Sequence, residues 1–198
     1  MTGEPRRTRL PPEERRALIV EAAGRLFAAG GYDATRLEDV AAAAGVTKPI
    51  LYRHFEAKQG LYLALLERHR NDLSSFAEAI PAEGSTEERL RAVLDVWLAY
   101  VETHSYAWTL LFRDTGGGPE IHAYRTEVHA RARVVLVDLI GSLGEAPIPQ
   151  GEVEPLAELM SMGMASLVLW WMDNPSVPRH TILDAMTRVW SGLLSPDP

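Results

Sequence analysis

Side chains suited to binding a polyanion crowd into a short segment of this chain that reads VTKPILYRHF. Lys48, Tyr52, Arg53 and His54 lie within it, and Lys58 follows shortly after. Ammonium, guanidinium, phenol and imidazole groups all donate hydrogen bonds, and phosphate oxygens accept them. Lys48 and Lys58 are also the only lysines in the chain. The segment therefore predicts a surface that contacts phosphate groups.

The same segment has the spacing of a helix with apolar anchors. At about 100° per residue, Leu51 and Phe55 fall on one face. Arg53 centres the opposite face, and Tyr52 and His54 lie on its flanks. Such a helix packs its apolar side on the protein and presents a cation outward. We expect its centre to reach base edges in a DNA major groove and its flanks to reach the phosphates on either side.

Pro49 marks the start of this helix rather than a break in it. The fixed φ and missing N–H of proline are tolerated in a first helical turn, where the N–H would be unpaired anyway. Either Thr47 or Lys48 is then the cap, and the sequence leaves the two open.

Apolar residues recur at helical spacing along almost the whole chain, and glycine and proline separate the segments. Thr35 and Glu38 match a capping box, which predicts Thr35 as the N-cap of the second helix. The pattern predicts an all-α protein of about nine helices. The segments are 11–30, 35–44, 47–55, 59–79, 86–103, 106–113, 120–140, 153–172 and 179–194.

Residues 22–66, AAGRLFAAGGYDATRLEDVAAAAGVTKPILYRHFEAKQGLYLALL, resemble the tetracycline-repressor (TetR) family of bacterial transcriptional regulators. The elements L-F…G-Y-x-A-T, V-A-x-x-A-G-V and L-Y-x-H-F occur in order at the spacing of that family. The resemblance implies an N-terminal helix–turn–helix DNA-binding domain and a C-terminal helical domain for ligand binding and dimerisation. The domains expected are a basic arm at 1–10, a DNA-binding domain at 11–57 and the helical body at 58–198.

The resemblance also implies which residues contact double-stranded DNA. Arg36 belongs to the expected set without an assigned target. The arm residues Arg6, Arg7 and Arg9 are read in two ways, as a minor-groove contact or as a solvated tail. The residues on positions that usually touch phosphates are Thr35, Lys48, Tyr52, His54 and Lys58, and those on positions that face bases are Thr47, Pro49, Ile50 and Arg53.

The charges are distributed unevenly along the chain. Residues 1–70 hold 12 Lys and Arg against 9 Asp and Glu, whereas residues 71–198 hold 8 against 18. A mildly basic head on an acidic body predicts that only the head meets an acidic partner.

The body holds many aromatic residues for a small helical core, so the sequence predicts either ordinary core packing or a ligand pocket. The resemblance favours a pocket for a small hydrophobic effector. Its expected lining is Trp97, Tyr100, His104, Trp108, Phe112, His122 and Tyr124.

The last two helices predict a homodimer. The segment 153–172 is apolar nearly all round, and a helix that is apolar on all faces needs neighbours on all faces. The resemblance implies a four-helix bundle across a two-fold axis, with recognition helices about 34–36 Å apart on a palindromic operator. The expected interface is Leu167, Trp170, Trp171, Ile182, Met186, Val189, Trp190 and Leu193.

The sequence argues against catalysis, cofactors and metals. It contains no cysteine, its six histidines form no zinc pattern, and the TGGGPE run at 115–120 lacks the Lys-Ser/Thr of a phosphate loop and predicts a flexible connector. The most apolar run, 160–172, is shorter than the roughly 20 residues of a membrane helix. We therefore expect no enzyme, no cofactor, no metal and no membrane partner, and a cytoplasmic location.

Together these patterns predict a ligand-responsive transcriptional regulator, most simply a repressor released from its operator by the effector. The alternatives are an activator, a ligand-independent regulator, and a helical ligand carrier or enzyme.

Overall fold

The computed structural model describes residues 10–76, 80–143 and 148–194. Within these ranges the chain forms nine α-helices, one short π-helix and no strand, which confirms the predicted all-α class. The predicted ends of the fifth and last helices match the structure, whereas the predicted 106–113 helix is divided between α6 and the π-helix. The elements are α1 (Pro12–Ala34), α2 (Leu37–Ala43), α3 (Lys48–His54), α4 (Lys58–Ser75), α5 (Thr86–Thr103), α6 (Ser105–Trp108), the π-helix (Thr109–Arg113), α7 (Pro119–Leu143), α8 (Gln150–Asp173) and α9 (Arg179–Leu194).

Two of the sequence-based expectations concern residues outside the described ranges. The arm cations Arg6, Arg7 and Arg9 precede residue 10, and the predicted end of the fourth helix at residue 79 falls between residues 76 and 80.

The turn between α1 and α2 differs from the prediction at its cap. Gly31 leaves helical geometry at φ 77° and ψ 167°, a conformation that L side chains rarely adopt. Arg36, not Thr35, is the N-cap of α2, and no side chain caps that helix. The buried Thr35 hydroxyl instead donates to the Gly31 carbonyl at 2.8 Å. The capping-box prediction with Glu38 is therefore wrong, because α2 begins one residue later than predicted and the Thr35 hydroxyl oxygen accepts no hydrogen bond from its first turn.

Two hydrophobic cores organise the helices. The first joins α1, α2, α3 and much of α4 to α6, the π-helix and the start of α7, around Phe27, Leu51 and Tyr62. The second joins α5, α8, α9 and the end of α7, around Trp97 and Val168. Because α4 and α7 pack along each other, they connect the two cores. The first core extends past residue 57, and the domain boundary expected there stays a prediction.

The apolar surface of α8 is longer than the sequence pattern suggested. By length and composition alone, Gly151–Asp173 is long and apolar enough to cross a membrane, but only 33% of its most apolar window is buried in this chain. The helix packs mainly on α7 and also contacts α6 and α9. Three of its large apolar side chains remain about half exposed, namely Leu159, Met162 and Trp170. This chain alone therefore leaves one apolar face of α8 uncovered.

A buried histidine lies where α4 meets α5 and α6. His69 is 2% exposed, and its Nδ1 lies 2.5 Å from the Tyr100 hydroxyl, which donates to Asp72 Oδ2 at 2.8 Å. Since the phenol proton goes to the carboxylate, Nδ1 carries the proton of the neutral ring and donates to the phenol oxygen. Burial, aided by His104 and Arg68, lowers the pKa of His69 to about 3.

We expect His69 to make the protein less stable as the pH falls below about 6.5. The unfolded chain binds a proton near pKa 6.5, whereas folded His69 stays neutral down to about 3, so the free energy of unfolding decreases between these values. His69→Gln removes this titration, and its loss of stability between pH 7 and pH 5 should be smaller by about 2 kcal/mol. Urea unfolding at fixed protein concentration measures the difference.

His180→Gln is the matched control, because His180 is exposed on α9. It should retain the loss of stability between pH 7 and pH 5 that is attributed to His69. An unchanged pH dependence in His69→Gln would contradict the assignment of a neutral, buried His69.

Candidate nucleic-acid interface and cavity

The outer face of α3 is exposed, as the helical spacing predicted. Leu51 and Phe55 are buried in the first core, with exposures of 0% and 5%. Thr47 is the N-cap, which settles the choice left open by the sequence, and Pro49 lies in the first turn. The exposed members of the predicted set are Arg36, Thr47, Lys48, Pro49, Tyr52 and Arg53, and the half-buried members are Ile50, His54 and Lys58.

Lys48 is paired with an acid on this face. Its Nζ donates a hydrogen bond to Glu38 Oε1 and forms an ion pair that joins α3 to α2. The hydrogen bond lowers the pKa of the Glu38 carboxyl and raises the pKa of the Lys48 ammonium. Both side chains are 53% exposed. Water competes for such an exposed pair, so a phosphate can replace the carboxylate at Lys48.

Lys58 and Thr35, both expected to touch phosphates, make internal hydrogen bonds in this structure. Lys58 Nζ donates to the carbonyls of Tyr32 at 2.8 Å, Asp33 at 3.1 Å and Thr35 at 3.2 Å. Thr35 is 8% exposed. A cation at the end of a helix is stabilised by the partial negative charge of its last carbonyls. Lys58 therefore fixes the start of α4 to the end of α1.

Two arginines of α1 lie beside α3, and the sequence did not single them out as contacts. The Arg16 guanidinium lies 4.9 Å from the centroid of the Phe55 ring. The pKa of His54 is lowered mainly by burial and further by Arg15, Arg53 and Arg16. His54 is therefore a neutral donor or acceptor at the edge of a cationic surface. Only the packing of α1 against α3 brings these charges together, and no local spacing signals it.

An apolar cavity of about 90 Å³ lies in the second core. Three of the predicted lining residues, Trp97, Trp108 and Phe112, form part of its wall. The Trp97 ring packs edge-on against Trp108 at 5.3 Å, and Phe112 stacks parallel to Trp108 at 5.6 Å. Aliphatic side chains of α5, α7 and α8 complete the wall.

The other four predicted lining residues lie away from this cavity. Tyr100 and His104 stack on each other at 4.3 Å beside His69. His122 is exposed on α7, and Tyr124 is half-buried with the Arg70 guanidinium 5.5 Å from its ring.

His129 belongs to the cavity, although sequence reasoning did not place it there. Its ring stacks on Phe112 at 4.7 Å with 11° between the planes. Burial lowers the pKa of His129, although a backbone hydrogen bond to Leu111 acts in the opposite direction. His129 Nε2 and Trp108 Nε1 are both buried without a hydrogen-bond partner. Buried polar atoms are normally paired, so a ligand in this cavity that carries polar atoms could pair these two nitrogens.

A buried ion pair connects the cavity wall to α4. Asp114 directly follows the π-helix, and its N–H donates to the Thr109 carbonyl at 2.8 Å. Its Oδ2 accepts from the Tyr62 hydroxyl at 2.9 Å and lies 3.3 Å from Arg125 Nη2. Arg125 Nη2 also donates to the Tyr62 oxygen at 2.6 Å. The Arg125 and Asp114 side chains are only 7% and 8% exposed, so these contacts form away from water, and Arg125 Nε is the one buried atom of the guanidinium without a partner.

Gly116, the first glycine of the run before α7, is held by this ion pair, and the flexible connector expected at 115–120 stays a prediction. The Gly116 N–H donates to Asp114 Oδ1 at 2.9 Å, and its carbonyl accepts from Arg125 Nη1 at 3.0 Å. A Cβ on Gly116 would lie only 3.0 Å from the Tyr32 Cβ. Glycine is required here because the backbone approaches α1 so closely.

The predicted dimer residues divide into two groups. Trp170 and Val189 are 49% and 54% exposed on the outer faces of α8 and α9, and Leu167 and Leu193 are half-buried. The other members lie inside the core of this chain, the three of α9 through its packing on α5 and Trp171 on α8. These buried members are Trp171, Ile182, Met186 and Trp190.

Comparisons with known proteins agree with the resemblance. Residues 19–65 match the family described as bacterial regulatory proteins, tetR family. The HTH-type transcriptional activator FasR of Mycolicibacterium smegmatis is 29% identical over 96% of this chain and 88% of its own length. The HTH-type transcriptional repressor LfrR of the same species is 28% identical over 92% of each chain. A tetR-family transcriptional regulator from Streptomyces coelicolor, solved by crystallography, superposes with a TM-score of 0.73 at 25% identity over 93% of this chain and 82% of that chain.

The family resemblance read from residues 22–66 is thereby confirmed, together with the helix–turn–helix assignment. The N-terminal helix–turn–helix of this chain therefore matches the tetR family of bacterial regulatory proteins, and the chain as a whole is similar in sequence and fold to helix–turn–helix transcriptional regulators of that family.

Proposed function

We propose that this regulator is a homodimeric repressor that binds a palindromic operator and is released when a small hydrophobic molecule enters the cavity. The outer face of α3 carries the proposal, because it presents exposed donors around Arg53 while Leu51 and Phe55 fix its inner face. The operator lies in chromosomal DNA, so the protein acts in the cytoplasm.

In this proposal some residues of the α3 face contact phosphates and others contact bases. Lys48 and Tyr52 are exposed on it and contact phosphates, and half-buried His54 adds a neutral contact. Arg53 is exposed at the centre of the face and reads a base edge, most simply guanine through two hydrogen bonds. Thr35 and Lys58 support this surface indirectly, because their side chains already hydrogen-bond to backbone carbonyls at the end of α1.

The exposed apolar faces of α8 and α9 support a two-fold dimer. Leu159, Met162, Trp170 and Val189 are 56%, 53%, 49% and 54% exposed. The three α8 side chains recur near helical spacing, so they form one continuous strip. A second copy covers this strip and, by two-fold symmetry, presents the same strip in return.

The cavity is coupled to α4 through the π-helix. A molecule against Trp108 and Phe112 shifts the π-helix, whose end continues into Asp114. Asp114 holds Tyr62 of α4, and Lys58 ties the start of α4 to α1. The resulting tilt of α4 moves the two α3 helices from the spacing of about 34–36 Å that one DNA turn requires. A coupling free energy of about 1–3 kcal/mol is sufficient.

Activation is the second candidate function, because one relative is named an activator and another a repressor. A reporter gene behind the regulator's own operator separates the two. Higher expression after deletion of the regulator supports repression, whereas lower expression establishes activation.

Selection of bound genomic fragments supplies the operator for the central test, which compares two α3 variants. Arg53→Ala should weaken operator binding by about 1–3 kcal/mol and relax selectivity at one base position. Lys48→Ala should weaken binding to all sequences alike and lower the salt dependence by about one unit. Fluorescence anisotropy over a salt series measures both. A changed sequence preference in Lys48→Ala would disprove its phosphate role, and absence of any sequence-selective binding by the wild type would reject the proposed function.

We expect Glu38→Gln to strengthen DNA binding. The substitution removes an acid from the DNA-facing surface and frees Lys48 from its ion pair, so affinity should rise about two- to fivefold for operator and random duplex alike. Glu87→Gln on α5 is the control, because it also removes one exposed acid but lies at the start of another helix. Weaker binding in Glu38→Gln would instead indicate that Glu38 positions Lys48 for DNA.

We expect Trp170→Glu to produce monomers, because it places a charge in the apolar strip. Sedimentation velocity measures the mass, and circular dichroism checks that the helices are intact. Leu18→Glu is the control, since Leu18 is 46% exposed on α1, far along the chain from the strip. A retained dimer in Trp170→Glu would place the interface elsewhere.

A further inference from the structure

The wall of the cavity carries no charged group. Among the residues that the structure describes there, none is Asp, Glu, Lys or Arg, and His129 is the one titratable side chain. Burial lowers the pKa of His129, which keeps the imidazole neutral at neutral pH. A carboxylate or phosphate placed inside would therefore lose its hydration without gaining a counter-charge, which is costly.

The wall nevertheless offers two unpaired ring nitrogens, and Ser161 also lines it. The indole Nε1–H of Trp108 is a donor, and Trp108 is 7% exposed with this atom unpaired. His129 Nε2 is also unpaired. In the neutral tautomer that carries its proton on Nδ1, Nε2 is a hydrogen-bond acceptor. A ligand can therefore supply a hydrogen-bond acceptor for Trp108 Nε1 and a donor for His129 Nε2.

The shape of the wall favours a flat ligand. Trp108, Phe112 and His129 stack with ring planes within 11° of their neighbours, and Trp97 closes one side edge-on. Apolar cavities of this kind admit a single aromatic ring, and stacked or edge-on ring contacts stabilise it.

We propose that the cavity binds an uncharged aromatic molecule that carries a hydroxyl group, a phenol or aromatic alcohol, and excludes organic anions. The hydroxyl donates to His129 Nε2 or accepts from Trp108 Nε1, and the ring packs along the aromatic stack. This inference names the effector class of the proposed regulatory site and rests on that proposed function.

Three ligands of nearly equal shape test the inference on the full-length protein. Titration calorimetry at pH 7 compares 4-ethylphenol, 4-ethyltoluene and 4-ethylbenzoate. The phenol should bind about fivefold more tightly than the toluene, because it adds one hydrogen bond in an apolar site, and at least about tenfold more tightly than the benzoate. Equal or tighter binding of 4-ethylbenzoate, or no measurable binding of any of the three, would overturn the proposal.

Matched histidine variants test the role of His129. His129→Phe retains the stacking on Phe112 but removes the acceptor, so its preference for 4-ethylphenol over 4-ethyltoluene should be smaller than that of the wild type. His122→Phe makes the same change at an exposed site on the same helix and should keep the preference for the phenol. If thermal unfolding shows that His129→Phe is unstable, Trp108→Phe is an independent variant, because it removes the indole donor. A preference for the phenol that is undiminished in both cavity variants would overturn the assignment.

Operator release separates this inference from the proposed function. Anisotropy with labelled operator is measured while 4-ethylphenol is added. Binding of the phenol together with release supports both. Binding in the predicted order without release supports the ligand class and rejects ligand-controlled repression.

Discussion

The buried contact between Asp114, Arg125 and Tyr62 is the constraint on which the arrangement of the two cores depends. These groups come from the end of the π-helix, from α7 and from α4, and they are nearly out of reach of water. Removal of one of these groups would leave a buried charge without its partner, which costs about 3–5 kcal/mol of stability. The backbone around Gly116 completes the contact and leaves no room for a side chain. The relative positions of these three elements are therefore strongly specified.

From this contact, the DNA-facing helix is positioned by a short series of specific bonds. α4 carries Tyr62 at the ion pair and Lys58 at the end of α1. α1 in turn forms the core in which Leu51 and Phe55 anchor α3. The π-helix joins this series on the other side, because it contributes Leu111 and Phe112 to the cavity wall and runs directly into Asp114. A single connected set of contacts thus links the cavity to the surface that faces DNA, which gives the proposed coupling a physical route.

The single chain leaves part of its apolar surface exposed to solvent. The α8–α9 strip of half-exposed Leu159, Met162, Trp170 and Val189 is the apolar surface that the chain does not bury for itself. The DNA-facing end has the opposite character, with Arg15, Arg16, Lys48 and Arg53 around α3 in a chain whose net charge is −7. The concentration of cations at one end of an acidic protein keeps DNA contact local.

The sequence by itself determined the helices, the two faces of α3 and the family, because these follow from local spacing. Leu51 and Phe55 are four residues apart on any helix, and Pro49 signals a helix start in any fold.

The sequence did not determine which partner each polar side chain binds, and only the tertiary structure decided this. Thr35 and Glu38 have the spacing of a capping box, but the hydroxyl goes to Gly31 and the carboxylate to Lys48. Ile182, Met186 and Trp190 match an interface pattern, but the packing of α9 on α5 buries them. The residues that surround His129 and Asp114 come from other helices, so tertiary packing decides these contacts. A periodic sequence pattern specifies which face of a helix is buried, but it does not specify which helix packs against that face.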